Sequence, residues 1–250
     1  GSRCTMCLAI ISFGSTPGWP VFVAANRDED YRRPSEPPRC DEVAGVMRLA
    51  PRDLRAGGTW IGVNDHGVFA LITNRSDLPL PRGKPRSRGL LLLDLLGRPG
   101  LDAALELLER APEPVSAPYN LVVGDGGRLF AIEKEGCEAL RIEALPPGLH
   151  VVTNLGPSRD TEIPEAARAR ELWQEAAAAS EEPFRAAARV LRDRGGGGAP
   201  PLCRHLGDRG TVSSTLLGLG DGGEIAFEHA AGPPCVAPYE PVRLLERIRQ

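Results

Sequence analysis

Lysine is almost missing from this chain. Of its 30 basic residues only Lys84 and Lys134 are lysine, which leaves 28 arginines. Asparagine is nearly as scarce, with five positions: Asn26, Asn64, Asn74, Asn120 and Asn154. No apolar run approaches the roughly 18 residues that a membrane-spanning helix needs; the leucine run Leu90-Leu91-Leu92-Leu93, for one, ends at Asp94. No membrane span is therefore expected. Neither sign of charge dominates, and a net charge of −3 gives no electrostatic reason for a nucleic-acid partner. Six cysteines in 250 residues lack the density of a disulfide scaffold. Leu8-Ala9-Ile10-Ile11 is too short for the apolar core of a secretory signal. Free thiols in a reducing cytoplasm are the expectation. Gly1-Ser2 reads as a cloning scar, so residues 1–5 are set aside as a tag and 6–250 are read as one domain.

What is present is ordinary for a soluble globular chain, 42% hydrophobic and 25% charged. Abundant Arg, Ala, Gly and Pro beside scarce Lys, Asn and Phe point to a GC-rich coding sequence. A residue type disfavoured by that bias carries more information where it does occur.

Short apolar runs separated by turn residues predict a series of hairpins. The first joins 7–13 to 21–25 across Ser15–Pro20. The second joins 58–63 to 68–73 across Asn64-Asp65-His66-Gly67, and the third joins 120–123 to 129–133 across Gly124–Gly127. Further strands are expected at 148–154, 211–217 and 224–228. Helical patterning covers 90–96, 101–111, 165–178 (with capping chemistry at Thr161 and Pro164), 184–194 and 242–248. Gly195–Gly198 reads as a loop. Hairpins with clustered helices, and no strand–helix alternation, indicate an α+β fold.

The chemistry concentrates after the second strand. Asn26-Arg27-Asp28-Glu29 sets four polar residues at the end of a buried run, which is unfavourable unless they are paired or functional. Turn and capping roles are the lesser alternative for Asn26 and Asp28. Arg27 suits a carboxylate or phosphate of a substrate, or an ion pair with Glu29 or Asp53. Cys4-x-x-Cys7 with Cys203 and His205 supplies four zinc-type ligands, but the spacing follows no standard pattern, and no metal is assigned. His66, His150, His205 and His229 are scattered.

Asn26-Arg27-Asp28-Glu29 and Gly57-Gly58-Thr59-Trp60 resemble the two signature blocks of the NRDE family, also called the Transport and Golgi organization protein 2 family. Arg52-Asp53-Leu54, Arg88-Gly89, Tyr119-Asn120 and Val152-Thr153-Asn154 are similar to its other blocks, so the resemblance runs nearly the whole chain from Met6. It implies an N-terminal nucleophile hydrolase: a four-layer αββα sandwich of mostly antiparallel sheets, whose first residue after processing is the nucleophile. A more distant likeness links the chain to choloylglycine hydrolases and penicillin V acylases. Met6-Cys7 resembles their start, and Asp28 their Asp. Gly62–Gly67 resembles their hairpin leading to Asn74, and Thr153-Asn154 the later pair.

The resemblance implies Cys7, Asp28, Asn74 and Asn154 as catalytic residues, and Asn26, Arg27, Thr59 and Trp60 as substrate-binding residues. A terminal α-amine with a pKa near 7.7–8.0 can act as base for its own thiol, and amide side chains can donate to an oxyanion. The implied activity is amide hydrolysis or acyl transfer on a small acylated substrate, with no cofactor. The alternative on the same scaffold is a non-catalytic carrier for haem or for acyl-CoA or lipid. Two positions depart from the pattern: Gly1–Met6 precede Cys7, and Val212 stands where the family commonly has Arg.

Overall fold

The computed structural model describes residues 7–75, 77–82, 86–110, 117–136, 140–157 and 163–243. Its strands, in chain order, are β1 (Leu8–Thr16), β2 (Trp19–Asp30), β3 (Ser35–Val43), β4 (Val46–Asp53), β5 (Ile61–Asn64), β6 (Phe69–Asn74), β7 (Tyr119–Gly124), β8 (Leu129–Lys134), β9 (Arg141–Ala144), β10 (Gly148–Thr153), β11 (Gly156–Pro157), β12 (His205–Leu206), β13 (Arg209–Leu219), β14 (Ile225–Ala230) and β15 (Glu240–Pro241). The helices are α1 (Arg88–Leu96), α2 (Leu101–Arg110), α3 (Pro164–Ala178) and α4 (Pro183–Leu191).

Two sheets form, and every strand pairing among the described residues is antiparallel. The first runs β11-β10-β1-β2-β13-β14-β15, with β12 also on β13, and the second runs β3 to β9 in sequence order. The expected hairpins are present: Ile11 lies opposite Val23, Ile61 opposite Leu71, and Leu121 opposite Ile132. Successive residues of a strand face opposite sides, and here both sides are covered. From β1, Ala9, Ile11 and Phe13 enter the core between the sheets, where they meet Val63, Phe69 and Val122. Leu8 and Ile10 face outward against Ala166, Leu172 and Val190 of α3 and α4. On the second sheet Ala70, Leu121 and Val123 pack under Leu92, Leu95 and Leu96 of α1 and Ala104 of α2. Double coverage explains why these strands read as near-continuous apolar runs rather than as alternation. The result is a four-layer αββα sandwich, as expected. No helix among the described residues is long and apolar enough to cross a membrane.

Six strands escaped the sequence reading: β3, β4, β9 and the two-residue β11, β12 and β15. β3 is an edge strand carrying Pro37 and Pro38, with a register shift between Glu36 and Arg39. Proline at an edge or bulge removes no needed hydrogen bond, so the segment mimics a loop. β4 buries Arg48 and Arg52 against Asp41, and Arg48 also donates to Leu93 O at 2.8 Å. Its polar pattern hides a buried strand. At α3 the N-cap position is Ile163 with Pro164 following it, while Thr161 lies outside the described residues. α4 is capped by Glu182, whose carboxylate accepts from the Phe184 and Arg185 amides. Of the closing helix expected at 242–248, Val242 and Arg243 are not helical, and the rest lies outside the described residues.

Candidate active site

The cleft opens at one end of the interface between the sheets, where β1 begins. Leu8 pairs with Asn26 of β2 on one side and with Thr153 of β10 on the other. That register brings the residue preceding β1 to the ends of two neighbouring strands. Cys7 is this residue. Its backbone N–H donates to Asn154 Oδ1 at 3.1 Å, and its thiol donates to the Asp28 carbonyl at 3.6 Å. Burial, with Asp28 adding to it, pushes the Cys7 thiol up to about 12. While Met6 is attached, the Cys7 nitrogen is a peptide amide and cannot take that proton.

The Asp28 carboxylate is itself fixed. Its Oδ1 accepts from Thr211 Oγ1 at 2.7 Å, and Thr211 Oγ1 accepts from the Arg204 amide at 2.9 Å. The Arg204 guanidinium lies 4.0 Å from Asp28 and pairs with Glu165 of α3. β13 bulges here: Thr211 faces Asp28, but Ser213 faces Arg27, so Val212 is the extra residue. A bulge re-aims the side chain it carries, and Val212, half-buried, puts no charge beside Asp28.

Asn154 is held from the opposite sheet. Thr73 Oγ1 of β6 and Asn120 Nδ2 of β7 both donate to the Thr153 carbonyl at 3.1 Å, and Asn120 also donates to Thr73 Oγ1 at 3.2 Å. These buried bonds bridge the two sheets directly behind the Cys7–Asn154 contact. Asn74 follows Thr73 and is exposed on the cleft wall.

The other wall is cationic. The Arg27 guanidinium lies 4.0 Å over the Trp60 ring and sits 3.5 Å from Asp53 and 3.9 Å from Glu29. Asp53 is shared with Arg33 Nε at 2.7 Å. Its burial opposes ionisation, but the Arg33 and backbone hydrogen bonds prevail and hold the carboxyl below its ordinary range. Arg27 is 6% exposed, and its Nη1 has no hydrogen-bond partner among the described residues. Both ion-pair readings of Arg27 therefore hold, with one donor left over. Arg88, at the start of α1, donates to Pro118 O at 2.8 Å and also lines the cleft.

The motif glycines close this wall. Thr59 N donates to Gly89 O at 3.1 Å. A Cβ on Gly58 would lie 2.4 Å from the Gly89 carbonyl carbon, and one on Gly89 would lie 2.7 Å from Thr59 O. Only glycine at both positions lets the start of α1 touch the Thr59–Trp60 segment.

The resulting cavity measures about 340 Å³, the size of a small-molecule pocket. The structure brings Cys7, Asp28, Asn74, Arg27, Thr59 and Trp60 to its walls, with Asn154 bonded to Cys7. Asn26, expected to bind substrate, faces away. It alternates with Arg27 along β2, and its Nδ2 donates to Leu191 O and Leu202 O beneath α4. Its place is structural, which corrects the expectation. Sequence reasoning assigned no site role to Thr73, Arg33, Arg88 or Asn120; Arg88 and Asn120 lie in family motif blocks, whereas Thr73 and Arg33 carry no separate signal.

Solved structures share this architecture. The Caenorhabditis elegans ortholog of N-acylethanolamine-hydrolyzing acid amidase superposes with a TM-score of 0.59 at 15% identity, over 84% of this chain and 92% of that one. Penicillin V acylase from Agrobacterium tumefaciens gives 0.53 at 15% identity, over 90% and 83%. The fold is thus that of the N-terminal nucleophile hydrolases. In sequence, the mouse Transport and Golgi organization 2 homolog is 32% identical over 93 residues, 34% of this chain. The match spans about a third of that relative, 32% of its length. Residues 6–194 match the profile of the family Transport and Golgi organisation 2, and the chain belongs to that family.

Proposed function

We propose that this chain, once Cys7 is its first residue, is a cysteine amide hydrolase or acyltransferase acting on a small acylated substrate. One observation carries the reading. The nitrogen and the sulfur of Cys7 are both held, by Asn154 Oδ1 and the Asp28 carbonyl, at the inner end of a cavity of substrate size. Loss of Met6 turns that nitrogen into an α-amine at the same place. The amine takes the thiol proton, and the thiolate attacks the substrate carbonyl. The tetrahedral oxyanion receives the Asn74 amide, a donor of a kind worth about 3 kcal/mol. Collapse expels the leaving amine, which takes its proton from the α-ammonium. Water or an acceptor amine then cleaves the thioester. Asn154 presents oxygen to the nitrogen, so its role here is to position the amine. Asp28, fixed by Thr211, stabilises the charged amine. Arg27 Nη1, which has no hydrogen-bond partner among the described residues, suits an anionic group on the substrate.

Two solved proteins of this fold are, by their names, an amidase that hydrolyses N-acylethanolamines and a penicillin acylase. This agrees with the reading at the level of the scaffold. The second reading, a carrier that binds without turnover, draws on the chain with Met6 attached. There the thiol has no adjacent base and its pKa is pushed up to about 12. A panel of N-acyl p-nitroanilides separates the two. The processed protein should release nitroaniline and its Cys7→Ala variant should not. Tight binding by both, with no release, would favour the carrier.

A further inference from the structure

At β12, paired to the start of β13, three metal-ligating side chains converge. Cys203 Sγ lies 3.8 Å from His205 Nε2, and that same nitrogen lies 3.2 Å from Cys235 Sγ. All three atoms are within 4.8 Å of one another. A single imidazole N–H can donate well to only one sulfur, so a nitrogen facing two sulfurs is poorly explained by hydrogen bonding alone. Around a tetrahedral zinc ion, with Zn–S about 2.3 Å and Zn–N about 2.0–2.1 Å, ligand atoms stand about 3.6 Å (S···N) and about 3.8 Å (S···S) apart. The two observed S···N separations, 3.2 and 3.8 Å, bracket the first of these values, and the two sulfurs lie within 4.8 Å of each other. We propose that Cys203, His205 and Cys235 bind a zinc ion, with water completing the fourth position on the exposed His205 side.

The ligand segments are held before any ion arrives. Cys203 sits in the bend two residues before His205, the first residue of β12. The Leu202 and Cys203 amides both donate to Asp193 O, at 2.9 and 2.8 Å. The neighbouring Arg192 Nε donates to Pro234 O at 2.9 Å, and the Val236 and Ala237 amides fold back onto Pro233 O. Both cysteine segments are therefore anchored to residues 192–193, just past α4. Cys203 is 1% exposed, whereas Cys235 is half-buried and His205 exposed, so an ion has a way in. The candidate zinc set suggested by sequence, which used Cys4 and Cys7, is not the one assembled: Cys7 faces the cleft, and Cys4 lies outside the described residues. The assembled set has a consequence for the cleft. Arg204, between two of the ligands, bonds through Thr211 to Asp28, so an ion would hold the Asp28 support in place.

The test is titration of the reduced, chelator-stripped full chain with Co²⁺ and then Zn²⁺. Thiolate-to-cobalt charge-transfer absorption should saturate at about one ion per chain and be displaced by Zn²⁺. His205→Gln and Cys235→Ser should each weaken binding at least about tenfold, while Cys40→Ser and Cys7→Ser should leave it unchanged. His205 is exposed, so its variant decides the question if Cys235→Ser fails to fold. Absence of the charge-transfer band would overturn the proposal. So would equal uptake by His205→Gln, uptake of Cu⁺ alone, or a Cys203–Cys235 disulfide in oxidised protein with no ion bound by the reduced form.

Discussion

Removing residues 1–6 changes one nitrogen from an amide to an amine, and the structure sets how much that should matter. In the extended chain the Cys7 thiol has a pKa pushed up to about 12, against an ordinary value of 9.0. Below both values its thiolate population is then about a thousandfold below that of an unhindered cysteine. A base held beside the sulfur avoids this penalty, because the proton moves to a neighbour as the bond forms, a contribution of about 10²–10⁴ in rate. The protein beginning at Cys7 should therefore react with an acylating probe at pH 7.5 at least about 100-fold faster than the extended form. The pH profiles should differ too. For the processed form the rate should rise and level off near pH 8, as the amine loses its proton. For the extended form it should climb tenfold per pH unit through pH 10. Stopped-flow fluorescence of the probe, with peptide mapping to assign Cys7, measures both. Rates within about threefold of each other would refute the amine as base.

Gly89→Ala should cost about 1–3 kcal/mol in urea unfolding and reduce turnover, because its Cβ would lie 2.7 Å from Thr59 O. Gly126→Ala, with nothing within 4 Å, should cost under about 0.5 kcal/mol. His229 is buried against Thr215 Oγ1 at 3.0 Å, and burial lowers its pKa to about 4 from 6.5. Between those values the unfolded chain binds the proton and the folded one does not. Stability should fall by about 2–3 kcal/mol as pH drops from 7 to 4.5, and His229→Gln should remove that part of the slope in urea titrations at the two pH values. Arg27→Met should lower kcat/KM for acyl substrates bearing a carboxylate by about 10–100-fold, while changing it less than about threefold for neutral analogues. Equal losses on both would assign Arg27 to holding the wall alone.

Much of this arrangement was legible in sequence, and the reasons differ by residue. The hairpins of β1–β2, β5–β6 and β7–β8 announce themselves because their apolar runs are interrupted by turn residues. Cys7, Asp28 and Asn154 meet because β1 pairs with both β2 and β10, a register no local pattern encodes; the ordered motif blocks stood in for it. Asn26 was misread because it sits in the same tetrapeptide as Arg27 and Asp28. Strand alternation sends it to α4 instead, where two carbonyls need a donor. β3 and β4 were hidden by edge prolines and by arginines whose burial depends on Asp41, a partner visible only in three dimensions. The convergence of Cys235 on Cys203 and His205 depends on the loop after β14 returning to the end of α4, which nothing in the spacing of these residues shows.

As first residue, Cys7 is expected to form a covalent acyl intermediate with the substrate. Intact-mass spectrometry of the processed protein, quenched in acid during turnover of a slow N-acyl substrate, tests it directly. The expected spectrum shows one added acyl group per chain, mapped to Cys7, removed by hydroxylamine and absent from Cys7→Ala. Turnover that proceeds with no adduct at Cys7, or that survives in Cys7→Ala, would contradict it.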